Sequence, residues 1–89
     1  MIGFDDEAWD AIQVLFDDPQ RATLAERLDE MLDLLEKDSG DQRVRRHRMR
    51  LPRLWHFTVT GNGETWSVLW EADDKGEPYI QFAGSGLVG

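Results

Sequence analysis

The chain has 89 residues, 31% of them charged and 40% apolar, with a formal net charge of −8 and no cysteine. That length supports one domain, 1–89, with a single modest core, and the composition is that of a folded soluble protein rather than a disordered one. Disulfides, thiolate metal sites and cysteine nucleophiles are excluded. No apolar run approaches the roughly 20 residues of a membrane span and the N-terminus does not read as a signal peptide, so a cytoplasmic location without membrane contact is expected.

The charge is unevenly placed. Residues 1–40 carry 3 Lys/Arg against 12 Asp/Glu, whereas residues 41–89 carry 7 against 6. Within the second part, Gln42 to His56 holds six arginines, two histidines and no acid. A basic strip of this kind acts locally, within a Debye length of about 8 Å, whatever the total charge.

Taken in order, Phe4-Asp5-Asp6-Glu7 reads as a helix start. Asp5 can cap, two acids follow in the first turn, and Phe4 can pack on Trp9 as a staple. Ala8, Trp9, Ile12, Leu15 and Phe16 then recur at helical spacing, which predicts a helix over 6–16. Asp17-Asp18-Pro19 ends it and begins another, with Asp18 as cap and Pro19 at the first helical position. Leu24, Leu28, Met31 and Leu35 carry this second helix over 19–38, to Ser39-Gly40. So short a link makes the two helices an antiparallel hairpin.

After Gly40 the period changes to two. His47, Met49 and Leu51 alternate with Arg46, Arg48 and Arg50, predicting a strand over 43–51. A turn at Pro52-Arg53-Leu54 would set Leu51 opposite Trp55, Met49 opposite Phe57, Arg50 against His56 and Arg48 against Thr58. This register keeps the guanidiniums off the aromatic face, where unpaired charge would cost several kcal/mol.

Asn62-Gly63 is a strong hairpin signal, because both central residues of a tight I′ turn need positive φ. A loop of those two residues pairs Val59 with Trp66, Phe57 with Val68 and Trp55 with Trp70, all on one face. Strands over 55–61 and 64–72 follow. The other face, with Leu54, His56, Thr58, Thr60, Thr65, Ser67, Leu69 and Glu71, is mostly polar. A turn through 73–77 leads to a last strand over 78–83, with Ile80 and Phe82 toward the core and Tyr79 and Gln81 on the polar side. The tail from Gly84 is too rich in glycine to be expected in regular structure. Met1 to Gly3 is a weak candidate for an extra strand beside the last one. The fold class is α+β, a helical hairpin packed on one face of an antiparallel sheet of about four strands.

Arg46, Arg48 and Arg50, on alternate residues of one strand, form a ladder that can fork onto phosphate oxygens. Arg45 and Arg53 extend it at either end. The same row equally suits a solvated sheet edge protected from aggregation by its charge. His56 can shuttle a proton near neutral pH, Glu71 can act as general base or pair with an arginine, and Tyr79 can stack on a base or donate to a leaving oxygen. Each also has an ordinary structural role at a sheet rim. Trp55, Trp66 and Trp70 are read as core under the helices rather than as a stacking platform. No phosphate-cradling glycine loop, serine elbow, metal-ligand spacing or recognition helix is present, so no cofactor and no metal are expected.

FDDEAWDAIQVL, the Leu-rich second helix ending LLEKDSG, the basic VRRHRM segment and the paired LWHFTV and TWSVLWE strands together resemble the RelE/ParE superfamily of toxins from toxin-antitoxin operons. The resemblance implies a cytoplasmic toxin neutralised by a cognate antitoxin protein. RelE-like members cleave mRNA on the ribosome, whereas ParE-like members poison gyrase. It further implies that Arg46, Arg48 and Arg50 would hold the scissile phosphate while His56, Glu71 or Tyr79 moves protons. The alternative is a non-catalytic interaction module of the same fold.

Overall fold

The computed structural model describes residues 1–45, 47–48 and 54–85, with 47 and 48 described by their backbone. The elements in order are β1 (Gly3–Phe4), α1 (Asp6–Phe16), a 3-10 turn (Pro19–Arg21), α2 (Ala22–Lys37), β2 (His47–Arg48), β3 (Trp55–Gly61), β4 (Glu64–Ala72) and β5 (Pro78–Ser85). They form a helical pair on a five-stranded sheet of order β1-β5-β4-β3-β2. Among the described residues no helix is long and apolar enough to cross a membrane.

Asp5 starts α1, its carboxylate accepting from the Glu7 amide at 3.2 Å, and Phe4 meets Trp9 edge to face at 5.1 Å. Asp18 accepts from the Gln20 amide at 2.9 Å and Pro19 follows, but this turn is a 3-10 helix and α2 proper begins at Ala22. The N-terminus of α2 therefore has no side-chain cap of its own. Asn62, at the tip of the β3-β4 hairpin, supplies one by accepting from the Leu24 amide at 3.1 Å. Asn62 and Gly63 have φ of 55° and 76°, as a I′ turn requires.

The hairpin register is the one chosen by turn chemistry and apolar alternation together: Trp55 pairs with Trp70, Phe57 with Val68 and Val59 with Trp66. On this face Phe57, Val59, Trp66, Val68 and Trp70 are buried with Ile12, Leu15, Leu24, Leu28, Leu35 and Ile80, and Trp55 is half-buried beside them. Trp70 is fully enclosed, and its indole N–H donates to the Val44 carbonyl at 2.8 Å, satisfying the one polar atom of the ring.

Five features depart from the sequence expectation. β1 does form, and it runs parallel to β5, pairing Gly3 with Tyr79 and Phe4 with Ile80, so the sheet is mixed rather than antiparallel. The basic strand does not begin at residue 43. Asp41 accepts from the Arg43 amide at 2.8 Å and from the Val44 and Arg45 amides through its carbonyl at 3.2 Å, a local turn that outcompetes the ladder.

Where β2 does pair, His47 faces His56 and Arg48 faces Trp55, not Thr58. The shift is three residues along β3, an odd number, which exchanges the two faces of the strand. Trp55 is therefore not the partner of Leu51, nor His56 of Arg50. The fourth departure is a bulge, because Leu69 pairs with Phe82 but Trp70 with Ile80. The extra residue, Gln81, moves Phe82 to the face away from the helices and puts Ala83 in the core. Finally, β5 continues through Gly84 to Ser85.

Candidate functional site

The face away from the helices is not an open polar surface at its centre. Leu54, His56, Ser67 and Leu69 are buried there, while Thr58, Thr60 and Thr65 are exposed toward the hairpin tip. The apolar Leu54 and Leu69, joined by the half-buried Phe82 that the bulge delivers, give this side a small cluster of its own. His56 lies in that row, between His47 on β2 and Leu69 on β4, with 8% of its surface exposed. Burial on this scale keeps the imidazole from meeting a large substrate directly.

Glu71 and Tyr79 are brought together. They are register partners on β4 and β5, both half-buried, so carboxylate and phenol project side by side from the sheet. The Gln81 amide donates to the Glu71 carboxylate at 3.2 Å. Tyr79 in turn lies across β1: a Cβ built on Gly3 would stand 2.8 Å from Tyr79 Cδ2, so glycine is needed there for the ring to lie where it does. The pairing of Glu71 with Tyr79, and the roles of Gly3 and Gln81 behind it, were not foreseen. Gln81 reaches Glu71 from the bulge, and Gly3 belongs to a strand contributed from the far end of the chain.

The arginines of residues 43–53 do not share one environment. Arg43 is held by Asp41 through contacts of 3.1 and 3.0 Å. That pairing holds the Asp41 carboxyl below its ordinary range and raises the Arg43 guanidinium, the hydrogen bonds being the larger cause in both. Arg45 donates to the Ser39 carbonyl and lies over the rings of Trp55 and Trp70, at 5.0 and 5.5 Å. It closes the rim of the core and stands apart from any phosphate ladder. Arg48 is placed by its backbone opposite Trp55. Arg46, Arg50 and Arg53 lie outside the described residues.

The placement of β2 still bears on the site. Arg48 pairs with Trp55, and Trp55 with Trp70, the residue before Glu71. Arg48 is therefore a position on the face of the sheet that Trp55 and Trp70 share, opposite to the face of Glu71 and Tyr79.

At the opposite end, the hairpin is locked to α2 by a second network. Arg21 pairs with Asp18 at 2.9 Å and Glu64 at 3.4 Å, and Glu64 also accepts from the Trp66 indole at 2.7 Å. Gly61 lies directly under α2, where a Cβ would stand 2.6 Å from the Leu24 nitrogen.

Neither a protein-family model nor a curated protein matches the chain. Solved structures do match its fold. A chain of the intact E. coli RelBE toxin-antitoxin complex aligns with a TM-score of 0.69 and 14% identity, over 99% of this chain and 98% of that one. E. coli toxin RelE, as a double-arginine mutant in the free state, aligns with a TM-score of 0.67 and 15% identity, over 96% of this chain and 81% of that one. The chain has the RelE fold.

Proposed function

We propose that the chain is a RelE-like toxin of a toxin-antitoxin pair, held in check by a cognate antitoxin and acting on mRNA at the ribosome in the cytoplasm. The observation that carries this reading is the fold correspondence with RelE and with the RelBE complex over almost the whole length of the chain. Two features of this chain support it. Glu71 and Tyr79 form a paired acid and phenol on the sheet face away from the helices. The sequence also gathers Arg46, Arg48, Arg50 and Arg53 within eight residues, a concentration of guanidiniums suited to phosphate oxygens.

In this reading the arginines hold a phosphodiester and offset the charge that builds on it. Glu71 takes the proton of the ribose 2′-hydroxyl as its oxygen attacks the adjacent phosphorus. The bond from phosphorus to the 5′-oxygen breaks, and Tyr79 protonates the departing oxygen. The products are a 2′,3′-cyclic phosphate and a 5′-hydroxyl, and the site is reset when Glu71 gives its proton to water and Tyr79 takes one back, with no net proton change. Gln81 orients Glu71, and buried His56 packs beneath the site.

A second reading, a non-catalytic interaction module, including one directed at gyrase, is favoured by the net charge of −8, which opposes approach to RNA. Programmed ribosomes incubated with wild type, Glu71→Gln, Tyr79→Phe and Arg48→Ala separate the two. Cleavage by wild type and a loss of about 10²-fold or more in each proton-transfer variant is expected. Intact mRNA with wild type assigns the chain to the interaction class, and growth arrest without cleavage would point to the gyrase-directed form of it.

A further inference from the structure

We infer that the exposed edge of β3 beside α2 is a docking slot for an extended segment of a partner chain that carries basic side chains at alternate positions. This goes beyond the toxin reading and does not depend on RNA cleavage. Among the described residues the ladder of β2 on β3 goes no further than His47 and His56, and β3 continues past it to Gly61 as a sheet edge. Gly61 and Glu64 close the two-residue hairpin and bond to each other across it, and from there bonded and non-bonded pairs alternate. Thr58 and Thr60 fall at the non-bonded positions, and their backbone groups point away from β4, toward the edge.

The Thr60 carbonyl confirms that direction, since the Arg27 guanidinium reaches it at 3.0 Å. Among the described residues three edge groups are left for another strand: the N–H and C=O of Thr58 and the N–H of Thr60. Both ends of this window are stopped, by the β2 ladder on one side and by Arg27 and the N-terminus of α2 over Gly61 on the other. The slot thus admits only three or four residues of extended chain.

The chemistry of its occupant follows from the wall. Between α2 and β3 runs an open groove lined by Thr23, Glu26, Arg27, Glu30, Met31 and the β3 residues Thr58, Val59 and Thr60. Glu26 and Glu30 are both exposed, and neither forms an ion pair among the described residues. Four residues of helix rise about 6 Å, and two residues of strand advance about 6.6 Å. Side chains two apart on a docked strand therefore fall in step with the two carboxylates. Lysine or arginine at those positions would answer both, with apolar or small residues between them facing away from α2.

The test uses the full chain and a fluorescently labelled five-residue peptide, Val-Lys-Val-Lys-Val, read by anisotropy without ribosomes, so that its outcome is separate from that of the cleavage assay. Saturable binding is expected, weakened at least 10-fold by Glu26→Gln with Glu30→Gln. The same loss is expected from N-methylation of the peptide's central amide, which leaves the protein untouched. A peptide with Glu in place of Lys should not bind. Equal binding of the N-methylated peptide would reduce the interaction to charge adhesion and overturn the slot. Insensitivity to the double glutamine change would do the same. Sedimentation showing a dimer that the double variant dissolves would give the edge to a second copy of this chain and overturn the assignment to a partner.

Discussion

Asn62 Oδ1 accepts the backbone N–H of Leu24 at 3.1 Å, so the tip of the hairpin caps the N-terminus of the second helix. One residue thus serves two elements 38 positions apart, by taking positive φ in the turn and by satisfying an orphan helix donor. The two roles are separable by substitution. Asn62→Gly keeps the turn and removes the hydrogen bond to the helix, and should cost about 1 kcal/mol in urea unfolding. Asn62→Ala loses the cap and also strains the left-handed backbone, adding about 1 kcal/mol more. Asn62→Asp retains an acceptor and should stay nearest to wild type.

Gly61 and Gly63 are required for different reasons, which predicts different costs. At Gly61 a methyl group would meet the Leu24 nitrogen at 2.6 Å and its Cα at 2.7 Å, both backbone atoms, so hairpin and helix must separate. Gly61→Ala should destabilise by about 3 kcal/mol. At Gly63 there is open space, but φ is +76°. Gly63→Ala should cost about 1 kcal/mol. Thermal denaturation of the two variants checks the order, and equal losses would refute the close approach at Gly61.

The hairpin register was legible in the sequence because two local signals, Asn62-Gly63 and the alternation from Trp55 to Trp70, specify the same pairing. The start of α1 was legible for the same reason, since cap and staple are both set within a few residues of Asp5. What escaped was decided by partners far away in sequence or by a single inserted residue. The Asx turn at Asp41 took residues 43–45 out of the basic strand, and the three-residue shift of β2 reversed its faces. The bulge at Gln81 moved Phe82 away from the core, and the buried cluster around His56 closed a face expected to be open. Of the candidate site, the shared face of Glu71 and Tyr79 was readable from strand parity. Their direct pairing follows from the turn through 73–77, which sets Ala72 opposite Pro78 and Glu71 opposite Tyr79 before the bulge is reached.

Trp70 is the joint between the core and the turn that launches the basic segment. Its indole N–H bonds to the Val44 carbonyl at 2.8 Å, while Arg45 lies over its ring at 5.5 Å. Trp70→Phe keeps an aromatic ring but leaves that carbonyl without its donor and opens space in a closed core. A loss of about 3 kcal/mol is expected, from the unmet acceptor and the cavity together. Arg45→Ala removes only the stacked cation and the bond to Ser39, and should cost about 1 kcal/mol. If Trp70→Phe proves as mild as Arg45→Ala in urea unfolding, the indole bond is not what holds the turn.

The acid limb of stability should report on Asp18 and Asp41. Asp18 is held below its ordinary pKa of 3.8 by the Gln20 amide and then by Arg21, and Asp41 by the Arg43 guanidinium and amide. A carboxyl whose pKa is depressed on folding stabilises above its unfolded pKa and loses that contribution as pH falls through the folded value. Asp18→Asn and Asp41→Asn should therefore be less stable than wild type at pH 5, with the gap narrowing as pH drops below about 3.8. Both carboxylates keep part of their surface in solvent, so added salt should shrink the gap as well. A difference that persists undiminished at the acid end would mean that the asparagine changes act through something other than charge.

Gly3 supplies a test of the Glu71 and Tyr79 pair that leaves both residues in place. A methyl at residue 3 would stand 2.8 Å from Tyr79 Cδ2, near the base of the ring, where the side chain has little freedom to swing aside. Gly3→Ala must therefore displace the phenol from its position beside Glu71, while β1 still has its two-residue pairing with β5. If Tyr79 donates the proton to the leaving oxygen, a shift of about 1 Å should lower the cleavage rate by roughly 10²-fold. Substrate binding through the arginine segment should change little, so the loss should appear in the rate at saturating ribosomes rather than in their affinity. Tyr79→Phe combined with Gly3→Ala should then be no worse than Tyr79→Phe alone, because the displaced group is already gone. Additive losses would show that Gly3 matters for some other contact, and would take Tyr79 out of the proton-transfer step.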